Sequence, residues 1–125
     1  MSEINSVVEK IKKLGGDKVK FIILYGSQST NKQTPLSDVD LAVFYDGSKE
    51  ERFRFRMKIL GRVPEKYDIQ LFQDLPLYVK NEVIKGKVVY NSDTKLIYKI
   101  AKETYQAFDD FKKRFYDYVK GDVIR

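Results

Sequence analysis

Apolar positions change their spacing several times along the chain, and each change marks an element. Ile4, Val7, Val8, Ile11 and Leu14 recur at helical intervals and predict an amphipathic helix over residues 3–14. Ser2 can cap it and Gly15-Gly16 stops it. Residues 19–25 are apolar almost without interruption from Phe21 onward, the pattern of a strand inside a sheet. Residues 26–37 are small and polar, with a turn or two of helix after Gly26 and then loop through Pro35. A second strand follows over 40–45, and Asp46-Gly47 turns the chain.

The stretch 49–60 carries two conflicting signals. Phe53, Phe55, Met57 and Ile59 alternate with Arg52, Arg54, Arg56 and Lys58, and period two argues strand. Ser48 and Glu51 form a capping box, and no β-branched residue precedes Ile59. The reading chosen is helix, ended by Gly61. Residues 66–72 predict a third strand, in which Asp68 and Gln70 share one face and Ile69 and Leu71 the other. Asp74 and Pro76 start a further helix, through about residue 85, that Gly86 closes. Residues 87–90 form a short strand. Ser92 or Asp93 caps a last helix over about 94–120.

That last helix carries Ile97, Ile100, Ala101, Phe108, Phe111, Phe115 and Val119 on one stripe. One small sheet cannot cover so long an aromatic face, so its distal half, from Phe108, is expected to be buried against another chain. No repeat, low-complexity segment or linker divides the chain, and residues 1–125 read as one domain.

Composition narrows the chemistry. With no cysteine and no histidine, disulfides, thiolate sites and imidazole catalysis are excluded. Catalysis must run on carboxylates, hydroxyls, Lys, Arg and metal. A net charge of +6 favours a polyanionic ligand or acidic partner without proving a nucleic-acid binder. No membrane span and no signal peptide is visible, and the expected location is the cytoplasm.

Two features carry candidate chemistry. The first apolar run ends in Gly26-Ser27, and residues 28–37 separate it from Asp38-Val39-Asp40, which opens the second. Strand period puts Asp38 and Asp40 on one face, roughly 7 Å apart along the backbone. Carboxylates so held repel unless a cation lies between them, and a hard divalent ion is the natural candidate. Gly26 lets the backbone approach a ligand closely. The following N–H groups and the Ser27 hydroxyl can face a phosphate.

Gly26-Ser27, Asp38-Val39-Asp40 and a third aspartate, Asp68, on a later strand resemble the minimal nucleotidyltransferase (MNT) family, a branch of the DNA polymerase β-like nucleotidyltransferases. The order of elements resembles it over essentially the whole chain. The resemblance implies an α/β (α+β) nucleotidyltransferase fold: a small mixed sheet, helices packed on one side and a long C-terminal helix. It implies that Asp38, Asp40 and Asp68 bind two Mg²⁺ ions and are the catalytic residues. ATP would lie with its phosphates near Gly26, Ser27 and Ser37. A nucleotidyl group, AMP above all, would pass to an acceptor hydroxyl with release of pyrophosphate. Asp68 would serve the metal next to the acceptor and help take its proton. Similar proteins act as antitoxins that attach AMP to a HEPN-domain toxin. Many members carry an arginine soon after Gly-Ser; here Thr30 stands in that place, and Lys32 or the arginines at 52–56 are candidates to compensate.

Other readings stay open. Asp38 and Asp40 could end a loop and cap a turn, Asp68 could face solvent, and the 52–58 cations could be a solvated face. A degenerate site would leave a binding module that neutralises a HEPN RNase by contact. A small-molecule transferase of the aminoglycoside type would ordinarily need a second domain, which is not seen here. A homodimer or hetero-oligomer through the last helix is a further expectation.

Overall fold

The computed structural model describes residues 2–26 and 38–124. Its elements run α1 (Glu3–Gly15), β1 (Val19–Tyr25), β2 (Val39–Tyr45), α2 (Lys49–Leu60), β3 (Tyr67–Leu71), α3 (Leu77–Val83), β4 (Lys87–Asn91) and α4 (Thr94–Ile124). The four strands form a mixed sheet in the order β3-β2-β1-β4. β1 is interior and pairs antiparallel with β2 and β4, while β2 and β3 are parallel. The uninterrupted apolar run of β1 follows from this position, because both its faces are covered.

The expectation of helices on one side of the sheet is corrected: they cover both. On one face, Ile22, Leu41 and Ile69 pack with Val7, Val8 and Ile11 of α1 and with Phe55 and Ile59 of α2. On the other, Phe21, Ile23 and Ala42 pack with Val83 of α3, and Ile97 and Ile100 of α4 close over them. The fold is otherwise the mixed α/β arrangement expected, and the described residues form four α-helices, of which the C-terminal one is the longest. A register shift between Val19 and Phe21 puts Val19 and Ile22 on the same side, so strict alternation along β1 fails at Lys20.

The ambiguous stretch is helical because its cap decides it. Glu51 N donates to Ser48 Oγ at 3.1 Å and Ser48 N to Glu51 Oε1 at 2.9 Å. Once helical, period two loses its meaning: Phe55 and Ile59 are buried, while Phe53 and Met57 face outward. Two of the cations here, Arg52 and Arg56, tie the helix to the rest of the fold. Arg52 clasps Asp74 at 2.7 and 3.2 Å and donates to the Gly47 carbonyl at 2.9 Å. Arg56 donates to the Ile69 carbonyl at 2.7 Å, tying α2 to β3, and Arg54 pairs with Glu50. Among the described residues no helix is long and apolar enough to cross a membrane.

Candidate active site

β2 and β3 run parallel with Asp40 opposite Asp68. Parallel register places the two side chains on one face, next to each other. Asp40 lies two residues before Ala42, so it opens onto the sheet face that α3 and α4 cover. Both aspartates are half-buried. The Asp40 carboxyl is pushed up from 3.8 to about 6. Burial is the main cause, followed by the negative charge of Asp68, that of Asp38, and a hydrogen bond with Asp68. A carboxylate crowded by two others is the arrangement that a cation relieves.

Asp38 lies one residue before β2 and is exposed. Its charge reaches Asp40, but among the described residues no three acidic side chains are gathered into a ready metal cluster. Asp40 and Asp68 are thus brought together, and Asp38 stands at their rim. Ser27, Ser37, Thr30 and Lys32 lie outside the described residues.

Gly26 ends β1 with φ +77°, a left-handed conformation that side chains resist. A Cβ there would stand 2.5 Å from Asp40 Oδ2. Glycine at this corner therefore does two things: it turns the chain and lets backbone lie directly against the carboxylate. The close approach seen here is to Asp40 of the chain itself.

Two neighbours were not among the sequence candidates. Tyr25 is pushed up to about 12 by burial and then by Asp40 and Asp68, so its phenol stays protonated beside them. Gln70 donates Nε2 to Asp68 Oδ1 at 3.0 Å, fixing that carboxylate's orientation. Both were within reach of the sequence: Tyr25 precedes the glycine corner, and Gln70 shares Asp68's face by strand alternation. A cleft of about 510 Å³ opens beside this corner, lined by Tyr25, Gly26, Tyr78, Val79, Glu82 and Lys85.

The donor set fits a hard divalent cation: all oxygen, negatively charged, with burial and like charge already penalising its metal-free form.

Comparison with known proteins bears on this geometry. The family model described as polymerase beta, nucleotidyltransferase matches residues 6–95. A Methanocaldococcus jannaschii protein provisionally named a protein adenylyltransferase is 40% identical over 80 residues. That stretch covers 63% of this chain and 62% of the relative, so less than two thirds of the relative's length is matched. A chain of a toxin–antitoxin complex with AMP-PNP superposes with a TM-score of 0.73 at 19% identity, over 100% of both chains. A chain of the Shewanella oneidensis complex of a tri-AMPylated HEPN toxin with its MNT antitoxin gives 0.68 at 17% identity, over 98% of this chain and 97% of that one. At such identities the likeness is one of fold.

Proposed function

The chain belongs to the polymerase beta nucleotidyltransferase family, and we propose that it transfers AMP from ATP to a hydroxyl of a HEPN-domain protein partner, releasing pyrophosphate, as an antitoxin of the MNT type. The observation that carries this reading is the Asp40–Asp68 pair, set side by side on parallel strands with the Gly26 backbone against it. The name of the archaeal relative and the AMPylated toxin in the Shewanella complex support the choice of acceptor class.

Asp38, Asp40 and Asp68 would hold the divalent cation, Mg²⁺ in the ordinary case. When bound, it would neutralise triphosphate charge and lower the pKa of the acceptor hydroxyl. The remaining work falls to the chain itself. Gly26 admits the nucleotide's phosphates against backbone N–H groups, with Ser27 and Ser37 as the adjoining contacts. Asp68, oriented by Gln70, faces the acceptor and holds its departing proton. Tyr25, kept protonated at the edge of the pair, offers the carboxylates a hydrogen-bond donor and adds no negative charge of its own.

The test is transfer of label from ATP marked at the α- or the γ-phosphate to a HEPN-domain protein, with Mg²⁺. Nucleotidyl transfer delivers the α label alone. Delivery of the γ label, or inhibition of the partner that persists without any label and in Asp40→Asn, would replace this reading with a kinase or a binding module.

A further inference from the structure

The first half of α4 has two sides with different occupations. On one, Ile97 and Ile100 pack onto the sheet and Thr104 is buried. On the other, Lys95, Lys99 and Lys102 follow one another by four and three, which sets them in one row on the helix surface. Tyr98 and Tyr105, two turns apart, flank that row, and all five residues are exposed.

Nothing in the fold accounts for this band. The three lysines form no ion pair among the described residues. At helical spacing they repel one another, and Lys95 sits in the first turn, at the positive end of the helix dipole. Glu103 is the one acidic residue between Thr94 and Phe108, and it lines a groove with Lys80 of α3 instead. Tyr98 and Tyr105 are 72 and 65% exposed, and neither ring rests on another ring among the described residues.

A slot opens beside Tyr98, between α4 and the edge strand β4. Its volume is about 290 Å³; Phe21, Val88 and Ile97 wall it, and Asn91 and Thr94 are its polar groups. That is room for one flat ring rather than for a larger ligand. Cations, bare rings and a ring-sized slot in one band match an unpaired polynucleotide. The lysines meet its phosphates, the tyrosines stack on its bases, and one base can enter the slot. A duplex keeps its bases stacked on one another and offers the rings no face. A membrane would need the apolar side of the helix, which the sheet has taken. A second copy would bring lysine against lysine. Unpaired bases are what RNA loops and ends present.

We infer that the outward face of the first half of α4 binds single-stranded RNA. The inference does not depend on the transfer reaction, and its test needs no ATP.

The probe is a labelled oligouridylate of about twelve nucleotides, read by fluorescence anisotropy against the full chain at low salt. Binding is saturable, and log Kd rises against log salt with a slope of about 2, roughly 0.7 for each of the lysines. Lys95→Gln, Lys99→Gln and Lys102→Gln together flatten that slope. Tyr98→Ala with Tyr105→Ala weakens binding at least about tenfold at an unchanged slope. Tyr98→Phe with Tyr105→Phe binds as the wild type does, because phenylalanine keeps the stacking face. These positions are exposed, so circular dichroism should report an intact fold. The inference is overturned by absence of binding, by binding that survives loss of both rings, or by equal binding of the strand paired with oligoadenylate. It is overturned as well by tighter binding of the DNA strand, by displacement with polyglutamate, by sedimentation with phosphatidylserine vesicles in place of RNA binding, or by displacement with AMP-PNP and Mg²⁺, which would move the RNA to the Asp40–Asp68 site.

Discussion

Asp40 and Asp68 stand opposite each other across the parallel β2–β3 pairing, near enough for the charge of Asp68 to act on the Asp40 carboxyl. Two carboxylates so placed cannot both ionise freely, and burial adds to the cost. Because the folded state holds the Asp40 proton up to about pH 6, against an ordinary value of 3.8, it binds that proton more tightly than the unfolded chain. Stability is therefore lost as pH rises between those values and stays lost above them. Asp40→Asn, which carries no charge, should raise the melting temperature of the metal-free protein by a few degrees at about pH 7.5 and leave it unchanged near pH 4. Thermal scans at the two pH values check this; no gain at the higher one would mean that the pair is not crowded.

Asp68 is assigned to the acceptor side, and that assignment predicts a split in the kinetics. Asp68→Asn should lower kcat by at least about 100-fold while the affinity for Mg²⁺ and nucleotide changes only a few-fold. Gln70→Ala, which frees the Asp68 carboxylate, should reproduce part of the loss in kcat. A mutant weakened in nucleotide binding and not in turnover would move Asp68 to the other side of the reaction.

At Gly26 the backbone conformation and the space argue in the same direction. Gly26→Ala forces a side chain into φ +77° and against Asp40 Oδ2. It should cost about 1–2 kcal/mol of stability and abolish nucleotide binding. Urea denaturation together with a nucleotide titration would separate the two effects.

The capping box of α2 gives a prediction far from the site. Glu51 is held down at about 2, first by the Ser48 backbone N–H and then by Lys18. A carboxylate with a depressed pKa contributes stability above its ordinary value of 4.5, lost as pH falls toward 2. Ser48→Ala should lower the melting temperature by a few degrees at neutral pH. The difference between wild type and Glu51→Gln should shrink as pH drops through that window.

Much of this was legible in the sequence because local chemistry decided it. Ser48 and Glu51 outweighed an alternating pattern about twice as long as the cap, since two satisfied N–H groups fix the backbone before packing begins. The Asp40–Asp68 juxtaposition was expected from the family resemblance alone, because nothing local in the sequence pairs β2 with β3 in parallel. Two things were hidden. A strand as apolar as Phe21-Ile22-Ile23-Leu24 gives no sign of which residues face which layer, so the second helical face went unseen. The arginines of α2 looked alike in sequence, while their roles depend on remote partners: Asp74 for Arg52 and the Ile69 carbonyl for Arg56.

The central claim is that Asp40, pressed between Asp68 and Gly26, is where the metal-bound nucleotide is held. Calorimetric titration with AMP-PNP, with and without Mg²⁺, tests it without requiring the acceptor. The account predicts saturable, Mg²⁺-dependent binding by the wild type, weakened at least about tenfold in the folded Asp40→Asn variant. Equal affinity in the two proteins, or binding indifferent to Mg²⁺, would contradict it.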